Sequence, residues 1–309
     1  MSNNINWGKI YESTAWGSGV TDNNISWGKS YADLAGGGGT PFVGLLDTYS
    51  GAAAAYSLRQ LSSTYSGNAI KVRRASDNAE QDIAFSNNEL DTATLESFAS
   101  GTDAFVTTWY DQSGNNNNAT QTTAADQPQI VSSGSTILEN GKAAVQFDGT
   151  DDHIDTGTQI GLANTGSIYA VSSIDNISNF RAHFANGYDS DIWVGAVLNS
   201  TELQIWTNNE NSAGRASAFS LNTPFLASYF MKTGTNGHKI YVNNSIYLTS
   251  TKSFTIPNPT ATNGAIGRDE SSADYEFSGK MQEILFFADN TDTDNNGINT
   301  NINEFYSIY

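Results

Sequence analysis

The sequence predicts a mainly β protein, an antiparallel two-sheet sandwich with a few short helices and an extended N-terminal arm, and three observations carry that expectation. From Ala104 onward, short apolar runs follow one another, each closed by Gly, Asn or Asp, which is the pattern of half-buried strands joined by turns. Only 15% of residues are charged, so the polar surface comes from Asn, Ser, Thr and Gly, as suits an all-β domain with long polar loops. With 309 residues, 38% hydrophobic and 11% aromatic, the chain can bury a full core.

Residues 1–39 read as an arm. Asn3-Asn4-Ile5-Asn6-Trp7-Gly8-Lys9-Ile10-Tyr11 returns as Asn23-Asn24-Ile25-Ser26-Trp27-Gly28-Lys29-Ser30-Tyr31, with Trp16-Gly17 a weaker echo between. Two copies do not make a solenoid, which needs at least about three. Alternating Ile, Trp and Tyr suit short amphipathic strands that seek a partner surface, with Trp7, Tyr11, Trp16, Trp27 and Tyr31 as anchors. Folding back as edge strands on the body is the other outcome. The run Gly36 to Gly39 then supplies a hinge, and residues 40–309 form the body.

Within the body, Ala52 to Leu61 predicts a short helix, from its alanines and the spacing of Tyr56, Leu58 and Leu61. Ala69 to Arg74 and Gln81 to Phe85 predict strands flanking a Ser76-Asp77-Asn78 turn. Asp91 predicts a cap for a helix reaching Ala99. Strands are then expected at Phe105 to Tyr110, Ala143 to Phe147, Ser167 to Ser172, Asp191 to Leu198, Leu203 to Thr207, Phe225 to Met231, Lys239 to Val242, Ala265 to Gly267 and Gly279 to Phe287. Ile298, Ile302 and Phe305 fall at helical spacing and predict a closing helix over Asp294 to Tyr306.

Charge and composition exclude several function classes. A formal net charge of -18 repels phosphate backbones and anionic headgroups, which argues against nucleic-acid and membrane-surface binding. No run approaches the ~20 apolar residues of a membrane span, and the start of the chain lacks the basic and apolar regions of a signal peptide. Without cysteine there is neither a disulfide framework nor a thiolate metal site. His153, His183 and His238 are scattered, and no GxSxG elbow or phosphate-cradling glycine loop is present.

Two sets of side chains remain as candidate sites. Asp148, Asp151, Asp152 and Asp155 offer oxygen ligands suited to Ca²⁺, although their spacing is not that of an EF-hand and a hydrogen-bonded turn would use the same residues. Trp193, Trp206 and Tyr188 could stack on sugar faces, whereas aromatics at strand positions more often pack in cores.

Two resemblances follow from particular motifs. Val145-Gln146-Phe147-Asp148-Gly149-Thr150-Asp151-Asp152-His153-Ile154, with Ala265-Ile266-Gly267-Arg268 and Phe277-Ser278-Gly279-Lys280-Met281-Gln282-Glu283-Ile284, resembles the laminin-G-like, concanavalin-A-like modules, which implies a jelly roll. Asp47 to Arg59, Val72-Arg73-Arg74 and Thr108-Trp109-Tyr110-Asp111-Gln112-Ser113-Gly114 resemble the N-terminal half of the α-L-arabinofuranosidase B catalytic domain. A retaining glycosidase needs two carboxylates about 5 Å apart. In that family the nucleophile follows a Cys-Cys-Phe-Asp-Tyr-Gly-Asn type of segment that this chain lacks, so no nucleophile carries over. Asp151, Asp152, Asp155, Asp269 and Glu270 stay as loop carboxylates from which an acidic pair could be drawn.

The combination of jelly roll, repeated arm and no readable export signal is similar to bacteriophage virion proteins. It predicts a tail fibre, head fibre or capsid decoration on the particle surface, docked on other virion proteins through residues 1–39 and binding host-surface polysaccharide, with catalysis the less favoured outcome. Fibre kinship allows a homotrimer, although no heptad seam supports one. A glycoside hydrolase of arabinofuranosidase type is the alternative, and a purely structural decoration the second.

Overall fold

The computed structural model describes residues 41–156, 160, 162, 165–186, 192–196, 199–207, 210–211, 217–251, 253–254, 264–269, 275–289 and 291–309. The chain divides into two compact units, Met1–Val43 and Gly44–Tyr309. The repeated arm, with Trp7, Tyr11, Trp16, Trp27 and Tyr31, lies outside the described residues, as do the glycine hinge and Tyr188.

The second unit is mainly β and antiparallel. Its strands are β1 (Ala52–Ser57), β2 (Ile70–Arg74), β3 (Glu80–Ile83), β4 (Ala104–Trp109), β5 (Ala119–Thr120), β6 (Gln129–Ser132), β7 (Val145–Asp148) and β8 (Ile154–Asp155). They continue as β9 (Thr165–Ile174), β10 (Arg181–Asn186), β11 (Ile192–Ala196), β12 (Leu203–Thr207), β13 (Phe225–Lys232), β14 (His238–Val242), β15 (Ser245–Thr249), β16 (Gly264–Ile266) and β17 (Ser278–Phe287). Helix α1 (Thr92–Ala99) and helix α2 (Asn295–Tyr306) accompany them, with shorter pieces between.

Pairing follows two runs. One runs β15-β14-β13-β9-β17, with β1 and β7 sharing the far edge of β17. The other runs β12-β11-β10-β16-β8-β5-β4-β2-β3. β6 joins them by pairing with both β4 and β7. Side chains of the two runs meet face to face. Phe184 of β10 lies 4.6 Å, centroid to centroid, from Phe286 of β17, and Tyr56 of β1 lies 6.2 Å from Trp109 of β4. Such close-packed facing sheets form the core of a β-sandwich.

The predicted strands and the two helices from Asp91 and Asp294 appear close to their expected bounds. Asp91 caps α1 by accepting the Thr94 amide at 3.0 Å, and Ile298 and Ile302 of α2 are fully buried. The helix expected over Ala52 to Leu61 is instead strand β1. Ala54 and Tyr56 pack in the core between the runs, while Ala52 and Ala55 pack beneath α2 with Tyr169, Leu285 and Ile302. A strand covered on both faces needs small side chains where a helix presses on it, so alanine here reports close packing and not helical propensity. Arg59, just beyond β1, anchors α2. Its Nε and Nη2 donate to Glu283 at 2.8 and 3.0 Å, and its Nη1 donates to Asn301 of α2 at 2.9 Å.

Candidate functional site

The Tyr110 to Gly114 turn is a tie-down. The Asp111 carboxylate, 4% exposed, accepts the Ala55 and Ser113 amides at 2.8 Å and the Asn117 amide at 3.0 Å. Gln112 accepts the Leu61 amide at 2.8 Å and donates to the Ser57 and Arg59 carbonyls at 3.1 and 3.0 Å. The two side chains stitch the loop after β4 to β1 and the chain beyond it, because backbone groups at a strand edge must find partners somewhere. This motif positions the sandwich and leaves no free catalytic group of its own.

The aspartate-rich turn after β7 is brought together as predicted, in part. Carboxylate oxygens of Asp148, Asp151 and Asp152 lie within 4.8 Å of one another. Asp148 accepts the Thr150 amide at 2.8 Å, and Asp152 accepts the Asp148 amide at 2.9 Å, so the turn is locked by its own side chains. Gly149 sits at φ 76°, and a Cβ there would lie 2.7 Å from the Ser278 side chain. Burial, then the charges of Asp148, Asp151 and Asp126, push the Asp152 carboxyl up to about 7. Each carboxylate keeps lone pairs beyond these hydrogen bonds, so the donor set fits a hard cation. Asp155 stands apart from this group.

Asp155 belongs to the outer face of the second run. Strand side chains alternate, and Ile154 points into the core, so Asp155 points out. Register then aligns Thr120, Asp155, Ala265, Ala185, Trp193 and Trp206 in one row across β5, β8, β16, β10, β11 and β12. At one end, His153 Nε2 and Arg268 Nη2 approach Asp155 Oδ1 at 3.7 and 3.8 Å, with Arg268 30% exposed and Asp155 36%. Gly267 at φ 85° turns the chain out of β16 to place Arg268 and Asp269. A Cβ there would meet the Phe147 ring at 2.6 Å. Asp269 is buried.

At the other end are Trp193 and Trp206. Their rings meet edge to face at 6.5 Å, and Phe180 closes on Trp193 at 6.0 Å. Trp193 is 3% exposed, so its faces are not open for stacking as the aromatic-platform reading requires. Trp206 is half-buried, with its indole N–H donating to Gln204 at 2.8 Å. The expected platform is thus a packed pair whose outer member alone retains surface.

Residues 33–154 match the family model described as "Alpha-L-arabinofuranosidase B, catalytic". A search of curated proteins returns no match. Among solved structures, an arabinofuranosidase complexed with arabinofuranosyl-α-1,2-xylobiose superposes with a TM-score of 0.65 at 19% identity, over 84% of this chain and 64% of that one. A GH54 α-L-arabinofuranosidase carrying a Glu-to-Gln mutation, soaked with 4-nitrophenyl α-L-arabinofuranoside, gives 0.65 at 20% identity, over 84% and 65%. A GH54 enzyme soaked with a cyclic sulfate inhibitor gives 0.62 at 19%, again over 84% and 65%. These likenesses show the fold, and the chain spans just under two thirds of the length of each of these structures.

These findings correct the functional expectation. The family model and the solved structures point to the arabinofuranosidase catalytic scaffold, not to a laminin-G-like virion module, and they overturn the fibre or decoration reading together with its lean against catalysis. The motifs after Val145 and around Ala265 reflect strand ends that a sandwich of either kind needs. Phe147 and Phe277 pack together in its core at 5.7 Å, and Gly267 lies against Phe147.

Two residues of the site carry little signal in the sequence. Arg268 appeared only inside a fold motif, and Gln121 was not singled out. The signal available for Arg268 was a cation between the acidic positions of an otherwise acidic chain. Gln121 had none, since its partner His153 lies 32 residues away.

Proposed function

We propose that the chain is a glycoside hydrolase of the α-L-arabinofuranosidase type. The observation that carries this reading is that the catalytic-domain match over residues 33–154 is continued by the fold likeness across 84% of the chain, so both fall on one scaffold. Glycoside hydrolysis needs a carboxyl group that gives a proton to the leaving oxygen and a second that attacks or activates water.

Of the loop carboxylates expected from the sequence, Glu270 lies outside the described residues, and Asp152 and Asp269 are the buried ones among those described. Asp152 is held near neutrality, as a general acid should be, but its oxygen closes its own turn, and we assign it to structure. Asp269 follows Arg268 at the end of β16, is 1% exposed, and is assigned the acid/base role. A divalent cation on Asp148, Asp151 and Asp152 belongs to the same proposal, as a brace for the turn.

The test is release of 4-nitrophenol from 4-nitrophenyl α-L-arabinofuranoside and of L-arabinose from arabinoxylan by the full chain. Asp269→Asn should lower kcat by about 10²- to 10⁴-fold, while Asp152→Asn should leave kcat within a few-fold. Folded wild-type protein that releases neither product would sink the reading.

A further inference from the structure

An open pocket of about 270 Å³ is built on elements other than the one that ends in Asp269: the start of α1, the hairpin 138–143 and the end of α2 meet around it. Strands Leu138–Glu139 and Lys142–Ala143 of the hairpin pair across Asn140 and Gly141, both at positive φ (49° and 77°), as a two-residue type I′ turn requires. Asn140 Nδ2 donates to the Tyr306 and Ser307 carbonyls at 2.7 Å each, and Gln282 Nε2 of β17 donates to the Glu139 carbonyl at 3.1 Å. The hairpin is thereby fixed to both α2 and the sheet, so the pocket is formed before any ligand arrives.

Its lining suits one class of ligand. Leu58, Leu90 and Tyr306 give it a buried apolar floor, and Leu138, 50% exposed, an apolar lip. Lys142, Glu89 and Glu96 supply the polar wall. Lys142 Nζ lies 4.3 Å from the centre of the Phe305 ring and donates to Glu89 at 2.7 Å, with the two side chains 28% and 46% exposed, so solvent and ligand both reach them. Lys142 keeps two further hydrogens and Glu89 a second oxygen. Glu96, which accepts the Thr136 amide at 2.9 Å, keeps a second oxygen as well. An anion entering here meets two carboxylates, and a cation meets the ammonium. A hydroxyl accepts from Lys142 and donates to either carboxylate, and a sugar ring joins such hydroxyls to C–H groups that cover the floor. At ~30 Å³ per water the pocket has room for about nine waters, and one pentose has about ten non-hydrogen atoms.

We propose that this pocket is a second glycan site, which holds one neutral sugar ring of a polysaccharide while another part of the same polymer reaches Asp269. The proposal rests on the hydrolase reading for the polymer it names, and its experiment separates the two. Two linked contacts raise the effective concentration of polymer at the catalytic group, an advantage that a small substrate cannot use.

The experiment uses the full chain with two variants, each checked by thermal unfolding. Lys142→Met removes the donor, and Leu138→Arg loads the mouth with a long side chain at a position too exposed for folding to depend on it. Each should raise KM for soluble arabinoxylan about five- to tenfold and leave kcat and KM for 4-nitrophenyl α-L-arabinofuranoside within about twofold. An unchanged KM for arabinoxylan with Leu138→Arg, or an equal loss on both substrates, would overturn the pocket while the hydrolase stands. Should wild type hydrolyse nothing, electrophoresis through gels containing arabinoxylan still decides it. Retardation of wild type that Leu138→Arg abolishes supports the pocket as the hydrolase reading falls, and no retardation, or retardation equal in the variant, overturns the pocket too.

Discussion

Replacing Asp111 with alanine removes one carboxylate that accepts three backbone amides, those of Ala55, Ser113 and Asn117, together with the Ser113 hydroxyl at 2.7 Å. Ala55 is fully buried between the sandwich core and α2, so its amide cannot be rehydrated, and an unsatisfied buried donor costs about 1–3 kcal/mol. Ser113 and Asn117 are only partly buried, and water can replace part of what they lose. Summing a full cost for Ala55 and partial costs for the other two gives about 2–5 kcal/mol, a large share of the ~5–15 kcal/mol that holds a typical domain. Asp111→Asn keeps one acceptor oxygen and turns a donor toward donors, so it should cost about 2 kcal/mol. Urea unfolding followed by tryptophan fluorescence reads both, with a lower midpoint at constant slope. A loss below about 1 kcal/mol for Asp111→Ala would refute the tie-down role.

Three further outcomes are expected. Glu283→Gln leaves the Arg59 charge buried beneath α2 and should destabilise by about 3–5 kcal/mol, whereas replacing the pair together with Arg59→Met and Glu283→Leu should recover most of it in thermal unfolding. The Asp152 carboxyl is raised to about 7 from an ordinary 3.8, so the folded state holds this proton more tightly than the unfolded one. The stabilisation is full below about pH 4 and is lost as pH rises through about 7, with a ceiling of about 4 kcal/mol that solvent screening reduces to about 1–2. Asp152→Asn should flatten that fall in a pH series of unfolding midpoints, and an unchanged slope would refute the assignment. Added Ca²⁺ should raise the unfolding temperature of chelator-treated protein, and the increment should vanish in Asp148→Asn; calorimetry without heat and no shift would dispose of the cation.

What the sequence determined by itself was local. Short apolar runs closed by Asn, Asp and Gly set the strands from Ala104 to Phe287, Asp91 marked its helix, and Ile298 and Ile302 marked the closing one, because these signals reside in neighbouring residues. Asp111 divides between the two levels: its bonds to the Ser113 and Asn117 amides are those of a local turn, whereas its bond to the Ala55 amide, 56 residues away, comes from the tertiary structure. Tertiary structure decided the rest. Ala52 to Ser57 became a strand because α2, some 240 residues later, covers one of its faces, and no local propensity carries that information. Asp155 left the acidic turn because the pleat sends it to the opposite side from Ile154, where β16 brings Arg268 from more than 100 residues away. Trp193 and Trp206 pack on each other because β11 and β12 pair in that register. Chemistry on this sandwich is assembled across strands, and spacing along the chain could not show which side chains meet.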